Sequence, residues 1–239
     1  MSWFWVALLG ASIIGLAGIL DKALVFHFAK SKLTLPLLIG ISQMALGLAL
    51  VLVLPWTSAE MVPVAWAVFS GVIWGGSILL LFSVLFEREV SRTIAVYQTY
   101  PVFVAPMAIM FLNEHLVPYQ WGAILSVVCG AVMISIRRNS IDGGLIIDRS
   151  LYLLAAASFL AACANIASKI AVDSVEILQA HGFRILGMSV ILLLVSLRPV
   201  PLREIWGFAR QKSPALAIFG FNEFAVANVG MLLNLWALS

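Results

Sequence analysis

Charged residues are scarce in this chain, and their scarcity excludes most soluble folds. Only 10% of the 239 residues are Asp, Glu, Lys or Arg, whereas 63% are hydrophobic. A soluble domain has about 25% charged residues, because its surface must be hydrated. The composition therefore predicts an all-α integral membrane protein, in which the apolar surface faces lipid.

Cysteine and histidine are also rare, and their positions exclude several kinds of site. Cys129 and Cys163 lie inside apolar runs, so we expect neither a disulfide framework nor a cysteine-based metal site. His27, His115 and His181 stand at separate ends of apolar runs and have no metal-ligand spacing. A glycine-rich phosphate loop with a lysine is missing as well. We expect no metal, no cofactor and no enzymatic activity.

Hydrophobic runs long enough to cross a bilayer, which takes about 20 residues, recur along the whole chain. They predict eight transmembrane helices, at 3–26, 35–55, 62–86, 93–113, 117–136, 150–172, 178–197 and 214–238. The first run lacks a basic leader and a small-residue cleavage site, so we interpret it as a retained helix.

The net charge of +3 comes from basic residues that lie singly or in pairs in short loops. This favours contact with anionic lipid and no nucleic-acid partner. The basic residues occupy the loops after helices 1, 3, 5 and 7, at Lys30, Lys32, Arg88, Arg92, Arg137, Arg138, Arg149, Arg198, Arg203, Arg210 and Lys212. Because Lys and Arg accumulate on the cytoplasmic side, we expect a multi-pass inner-membrane protein with these odd-numbered loops in the cytoplasm.

Two neighbouring runs form a predicted hairpin with special residues in each arm. Pro101 and Pro106 lie inside the first arm, where we expect them to kink the helix. Gly122, Ser126 and Gly130 recur every four residues in the second arm. Small residues at this spacing predict close packing against another helix.

The order of polar, proline and glycine residues in this hairpin is similar to that of the EamA-type domain of the drug/metabolite transporter superfamily. The residues concerned are Ser91, Pro101, Pro106, Asn113-Glu114, Gln120-Trp121-Gly122 and Gly130. The resemblance implies ten helices in two inverted five-helix repeats, a transport function, and a structural role for Glu114 at the end of helix 4. It also implies a cytoplasmic N-terminus, which disagrees with the charge pattern; here we follow the charges.

Helices 1 and 6 share a pattern that supports a repeat. Small or polar residues lead to a lysine at steps of four, three and four, in the sets Ala11, Gly15, Gly18, Lys22 and Ser158, Ala162, Asn165, Lys169. We therefore predict a first repeat at 1–136, an inter-repeat loop at 137–149 and a second repeat at 150–239. The second repeat has no counterpart of the hairpin, so we expect a truncated gene or a fragment; a natural eight-helix protein is the alternative.

Glu223 is the strongest candidate for a functional residue, because an ionised group in hydrocarbon is costly unless it faces a cavity or a partner. On an ideal helix it shares one face with Ala227, Gly230 and Asn234, which could line a substrate or ion pathway. A carboxyl group there suits proton coupling or cation binding. The competing interpretation is a structural hydrogen bond to a neighbouring helix.

Three charged residues near helix ends are further candidates for the pathway. Asp21 and Lys22 lie about a turn inside the end of helix 1, and Lys169 has the matching place in helix 6 beside Asn165. The competing interpretation is that the lysines extend to the membrane interface while Asp21 pairs locally. Arg184, near the start of helix 7, is also expected at the interface, with pairing to Glu223 as the alternative.

Aromatic and amide side chains could form the wall of a binding site. Tyr97, Gln98 and Tyr100 precede Pro101, although aromatic residues also collect at membrane interfaces.

Trp74 in helix 3 could also line a pocket. Its neighbours Gly71 and Gly75 are more typical of tight helix packing.

These features favour a secondary active transporter that exports a small organic metabolite or amphiphile by alternating access. We expect an ion gradient or exchange to drive it, with substrate bound between helices 1, 3, 4, 6 and 8. The alternatives are a non-transporting membrane subunit, an inactive truncated remnant and, least favoured, a membrane enzyme. The substrate, the coupling ion and the oligomeric state do not follow from the sequence.

Overall fold

All secondary structure in the described part of the chain is helical, as the composition predicted. A computed structural model describes residues 3–54, 61–115, 117–135, 149–210 and 214–238. Its helices are α1 (Trp3–Phe28), α2 (Thr34–Val53), α3 (Met61–Leu85), α4 (Val90–Tyr97), α5 (Pro101–Leu112), α6 (Pro118–Ser135), α7 (Arg149–Val172), α8 (Ile177–Ser196), α9 (Pro199–Arg210), α10 (Pro214–Gly220), a π-helix (Phe221–Ala227) and α11 (Asn228–Leu238). The predicted loop 137–149, except Arg149, lies outside the described residues, as do Arg137, Arg138 and Lys212.

Six of the described helical segments are long and apolar enough to cross a membrane. They are Thr34–Val53, Met61–Leu85, Thr93–Leu112, Arg149–Val172, Ile177–Ser196 and Pro214–Ala237. The outer surface of the bundle exposes large apolar side chains such as Leu194, Met110 and Met133. Exposure of such a surface is favourable in lipid and unfavourable in water, as is typical of a helical membrane protein.

The centre of the bundle is α3, which packs along both α7 and α8. Its contact with α8 is unusually close because each of the two helices has a glycine at the contact. A Cβ atom on Gly71 would overlap the carbonyl of Arg184, and one on Gly187 would overlap the carbonyl of Val68. Alanines of α7, among them Ala157 and Ala161, are fully buried in the core that α7 shares with α3.

A second close contact joins α1 to the last span of the chain. α1 packs along α10, the π-helix and α11. Here Gly10 lies against Leu233, and Gly230 lies against Ile13 and Ile14. This pair of helices contains both carboxylates of the candidate site, so the small residues fix how closely the acidic side chains approach.

The predicted fourth helix, 93–113, is in fact two helices. α4 ends at Tyr97 and α5 begins at Pro101. Proline has no backbone N–H to continue a helix and suits the first helical position, so Pro101 starts a new helix rather than kinking a continuous one. Pro106 does lie inside α5, and Asn113 ends that helix in the left-handed conformation, with φ 53°.

The segment after α8, interpreted from sequence as a loop, contains the additional helix α9. Pro201 is buried on its inner side, whereas Trp206 and Arg203 are exposed. Oε2 of Glu204 accepts hydrogen bonds from Oγ1 of Thr34 at 2.7 Å and from the backbone N–H of Lys30 at 3.1 Å. A carboxylate at this position stabilises the first turn of α2, where backbone N–H groups have no helical partner.

The loops predicted to be cytoplasmic contact one another at one end of the bundle. Glu204 joins the loop after α8 to the loop after α1. Nε of Arg88, after α3, donates to Oγ of Ser150 at the start of α7, at 3.2 Å. Nζ of Lys22 donates to the carbonyls of Leu85 and Arg88 at 2.6 and 2.8 Å, and so satisfies the end of α3.

Candidate functional site

The last span contains a π-helix in its middle, in place of the continuous helix predicted over 214–238. Phe221–Ala227 form this segment, which includes Asn222 and Glu223. Nδ2 of Asn228 donates to the carbonyl of Glu223 at 2.7 Å, which adds a side-chain bond to the widened turn. π-helical turns are rare and are frequently found at functional sites.

Four buried or half-buried polar side chains meet next to this turn, and we call them the carboxylate cluster: Asp21, Gln43, Asn222 and Glu223. Nε2 of Gln43, on α2, donates to Oε1 of Glu223. Nδ2 of Asn222 donates to Oδ1 of Asp21, on α1, at 2.7 Å. The two carboxylates also lie on the wall of the same cavity. The cluster therefore joins α1, α2 and the π-helix.

The amide oxygens of the cluster have no partner among the described residues. Oε1 of Gln43 and Oδ1 of Asn222 form no hydrogen bond with any described residue. Both side chains are 0% exposed, so both oxygens are buried. A buried polar atom without a partner costs about 1–3 kcal/mol. The cluster thus combines two carboxylates with two buried acceptors whose hydrogen-bonding capacity is not used by the protein.

A cavity of about 100 Å³ lies beside the cluster. Asp21 and Glu223 contribute to its wall, together with the aromatic side chains of Trp74 and Tyr97 and the amide of Gln98. Apolar side chains of α1, α2, α3, α4 and α11 complete it, at Ile14, Ile39, Ile78, Leu81, Phe82, Leu85, Ile94 and Met231. A mainly apolar cavity with a few polar groups at one place is the usual form of a small-molecule site.

The cavity does not include the sixth predicted helix, which was expected to line it. α7 contributes no described residue to the wall, although it packs on α3 and contacts the cavity residue Tyr97 through Ser158. Asn165 is buried there and donates to the carbonyl of Ala161 at 2.9 Å. Nζ of Lys169 forms an ion pair with Asp173 at 2.9 Å. The bonds that the structure gives these two residues are local, within α7 and to the turn that follows it, and neither is to Glu223.

The predicted stripe from Glu223 to Asn234 is also divided by the π-helix. Ala227 lines the cavity beside Glu223, but the next lining residue is Met231. Gly230 instead faces α1, and Asn234 does not contribute to the cavity wall. The wider turn of a π-helix shifts the register of the residues after it, so an ideal α-helical projection places them on the wrong face.

The structure buries Arg184, which the sequence analysis placed at the interface. The side chain is 4% exposed, and its Cζ atom lies 4.6 Å from the centroid of the Trp74 ring. Among the described residues no carboxylate forms an ion pair with it. The hydroxyls of Tyr97 and Tyr100 lie near enough to interact with its charge. The alternative pairing with Glu223 is not seen, since Gln43 bonds to that carboxylate.

Further hydrogen bonds hold the aromatic side of the cavity. Oγ of Ser77 is 3.2 Å from the Tyr97 hydroxyl, and Oγ of Ser158 donates to the Tyr97 carbonyl at 3.0 Å. Nε2 of His181 is 3.2 Å from Oδ1 of Asn228, the residue that supports the π-helix. Polar contacts from α3 and α7 thus hold Tyr97 on the cavity wall, and the His181 contact joins α8 to α11.

The two glycine stripes predicted to pack helices lie in different surroundings. Gly71 and Gly75 face α8 at backbone contact distance. In contrast, nothing in the described part of the chain lies within 4 Å of a Cβ placed on Gly122 or Gly130. The hydroxyl of Ser126, between them, donates back to the carbonyl of Gly122 at 2.8 Å. Among the described residues, this stripe therefore has no helix packed closely against it.

Sequence reasoning missed two of the four residues in the carboxylate cluster. Gln43 is a lone amide in the apolar run Thr34–Val53, and Asn222 directly precedes Glu223. Gln43 could have been found by asking which polar side chains lie in a membrane span that has no charge, and Asn222 by asking which polar side chains adjoin a charge inside a span. Within the described residues no group of three or more His, Cys, Asp or Glu could hold a metal ion, and both cysteines are free.

Comparison with known proteins adds no assignment to this geometry. No protein-family model matches the chain, and no curated protein matches it.

Proposed function

We propose that this chain is a secondary active transporter that moves a small organic metabolite or amphiphile out of the cell across the inner membrane. The observation that carries the proposal is the burial of Glu223, 2% exposed, beside a cavity in a membrane-spanning helical bundle. An ionised group inside a membrane protein is expensive and usually marks a substrate or ion pathway. Energy would come from an ion gradient or from exchange.

The composition of the cavity supports a small amphiphilic substrate. Its wall is mostly aliphatic and aromatic, with carboxylates at Asp21 and Glu223 and an amide at Gln98. Such a wall can hold an apolar body while the carboxylates contact a cationic or donor group. Binding of a cation or proton at the carboxylates would remove buried negative charge and so lower the cost of a rearrangement of α1 against the last span.

The pairing of helices supports the inverted repeat expected of a drug/metabolite-type transporter. In such a repeat α1 would correspond to α7, and α3 to the span of α10, the π-helix and α11. The close pair of α3 with α7 would then correspond to the close pair of the last span with α1. α2 and α8, which would be each other's counterparts, pack along one another. Substrate sites between inverted repeats are common in transporters.

The clustering of the odd-numbered loops supports the proposed topology. The contacts made by Glu204, Arg88 and Lys22 join described parts of these loops to one another, which supports a common end of the bundle for them. That end faces the cytoplasm in this proposal.

The test is replacement of the buried carboxylate in cells that express the complete chain. Metabolites in the medium and in the cells are profiled for the wild type, Glu223→Gln, the control Glu114→Gln and an empty vector. Glu114 is exposed at the end of α5, so its variant controls for loss of one negative charge. We expect at least one metabolite whose export rises with the wild type and Glu114→Gln but not with Glu223→Gln at equal membrane abundance.

Two outcomes would contradict the proposal. If no metabolite differs between the wild type and the empty vector, the transport function is rejected and a non-transporting subunit becomes the better interpretation. If Glu223→Gln exports as well as the wild type, the carboxylate has no part in the transport step.

A further inference from the structure

We propose that the carboxylate cluster of Asp21, Gln43, Asn222 and Glu223 is a binding site for a sodium ion. As a role in coupling, this rests on the proposed transport function; as a binding site, it can be tested alone.

The orientation of the two amides is fixed by the carboxylates beside them. An ionised carboxylate only accepts hydrogen bonds, so Gln43 must turn its NH₂ group to Glu223, and Asn222 must turn its own to Asp21. Their oxygens are therefore real acceptors and not misassigned nitrogens. Both are buried and without a partner among the described residues.

The negative charge of the cluster is not balanced by a basic side chain in the described part of the chain. Lys22 is the next residue after Asp21, but its ammonium donates to the carbonyls at the end of α3. Arg184 lies over Trp74 instead. Carboxylates buried in a low-dielectric site need a compensating charge close by. A bound cation provides it without any movement of the lysine or the arginine.

The donor atoms indicate which kind of cation fits. All available ligand atoms of the cluster are oxygens, which favours a hard ion over a transition metal. Only two of the four residues are carboxylates, and within the described residues no third His, Cys, Asp or Glu joins them. Calcium takes about 6–8 oxygen ligands, several of them from carboxylates. Two carboxylates with two neutral amide oxygens suit an alkali ion better.

Access for the ion is available from the cavity. Asp21 and Glu223 both lie on its wall, and Asp21 is half-buried rather than fully enclosed. A sodium ion would thus share the cavity with the substrate, an arrangement in which each can change the affinity of the other.

The experiment measures binding of sodium alone to the complete purified chain in lipid nanodiscs. Thermal unfolding is followed by tryptophan fluorescence at fixed pH, with NaCl, KCl or ethylammonium chloride replacing choline chloride at constant ionic strength. A ligand that binds the folded state raises the unfolding temperature with its concentration. We expect a saturable rise with Na⁺ that K⁺ and ethylammonium do not reproduce. Binding of radioactive Na⁺ should saturate over the same concentrations.

Variants then locate the site. Glu223→Gln and Asp21→Asn should each raise the Na⁺ concentration for half-maximal binding by about tenfold or more, because the charge of the ligand set determines affinity. Glu114→Gln should leave it unchanged. Asp21→Asn is the more conservative test, since its half-buried position tolerates an amide even if Glu223→Gln does not fold.

Three results would overturn the sodium site. The first is an equal response to Na⁺, K⁺ and choline, and the second is Na⁺ binding that both cluster variants retain. The third is stabilisation by ethylammonium without an effect of Na⁺, which would assign the cluster to an amino group of the substrate. Sodium binding without any export would keep this site and reject the transporter, whereas export without sodium binding would do the reverse.

Discussion

The guanidinium carbon of Arg184 lies over the indole of Trp74, 4.6 Å from the ring centroid, in the core between α3 and α8. Both side chains are buried, and Trp74 also lines the cavity. The contact therefore links a buried positive charge to the wall of the candidate site. A cation over an aromatic face is attracted by the ring quadrupole, and more strongly where water is excluded.

We expect this pair to behave as a coupled unit in stability. Trp74→Phe weakens the ring quadrupole, and Arg184→Lys replaces a planar cation with a compact one that stacks poorly. Thermal unfolding of the two single variants and the double variant should give a coupling free energy of about 0.5–2 kcal/mol. Trp206→Phe, on an exposed ring of α9, is the control and should change little. Strictly additive effects of the two substitutions would show that the stacking contributes nothing.

Alanine at the glycines between α3 and α8 should destabilise the protein. A methyl group at Gly71 or Gly187 would overlap backbone carbonyl groups of the facing helix, which cannot move as a flexible side chain does. Overpacking of this kind costs about 1–3 kcal/mol, or more where backbone is involved. Unfolding in detergent with increasing denaturant measures it.

The matched controls are Gly122→Ala and Gly130→Ala on α6. Nothing described lies within 4 Å of a methyl group at either position. Alanine is a better helix former than glycine by about 1 kcal/mol, so these variants should be neutral or slightly more stable. Destabilisation equal to that of Gly71→Ala would mean that this face is covered by another helix, for example from a second copy.

The two lysines with matching sequence positions should differ in their effect on stability. Lys22 donates to two carbonyls at the end of α3, so Lys22→Met leaves buried acceptors unsatisfied and should cost about 1–3 kcal/mol. Lys169 makes an ion pair with the exposed Asp173, four residues away, and Lys169→Met should cost less than about 1 kcal/mol. Chemical unfolding of both variants gives the comparison. An equal loss of unfolding free energy in Lys22→Met and Lys169→Met would contradict the different roles of the two lysines.

Removal of the Glu204 carboxylate should loosen the start of α2. The residue accepts hydrogen bonds from the Thr34 hydroxyl and the Lys30 backbone N–H, so Glu204→Gln weakens charge-assisted bonds that hold the start of α2, worth about 1 kcal/mol. Hydrogen exchange should become faster in the first turn of α2 and remain unchanged in α8. Glu176→Gln is the control, because Glu176 makes no side-chain cap to α8. Unchanged exchange in α2 would show that α9 does not stabilise it.

Hydrophobic run length predicted where helices lie, because a membrane span has to be apolar along its whole length. Apart from the divided fourth helix, the predicted ends agree with the observed ones to within about two residues. The length of a hydrophobic run does not indicate which helices pack against one another. The burial of Arg184 could not be predicted, since it depends on the backbone contact at Gly71 that brings α8 onto α3.

The candidate site was predicted only in part, for a similar reason. Glu223 and Asp21 are recognisable as charges within apolar runs. Gln43 and Asn222 acquire their roles only when α1, α2 and the last span meet. The π-helix divides the predicted stripe of Glu223, Ala227, Gly230 and Asn234. No residue pattern in the last span distinguishes that turn from an ordinary α-helix.

The π-helix gives the last span two helical phases. Glu223, within the π-helix, lies on the cavity wall, whereas Gly230, after it, faces α1. Such a turn accommodates one residue more than an α-helix of equal rise. A deletion of one residue within Phe221–Ala227 would therefore convert the turn to an ordinary α-helix of equal rise and leave both phases in place, whereas a deletion of one residue within Asn228–Leu238 would rotate the residues after it by about 100° relative to Glu223.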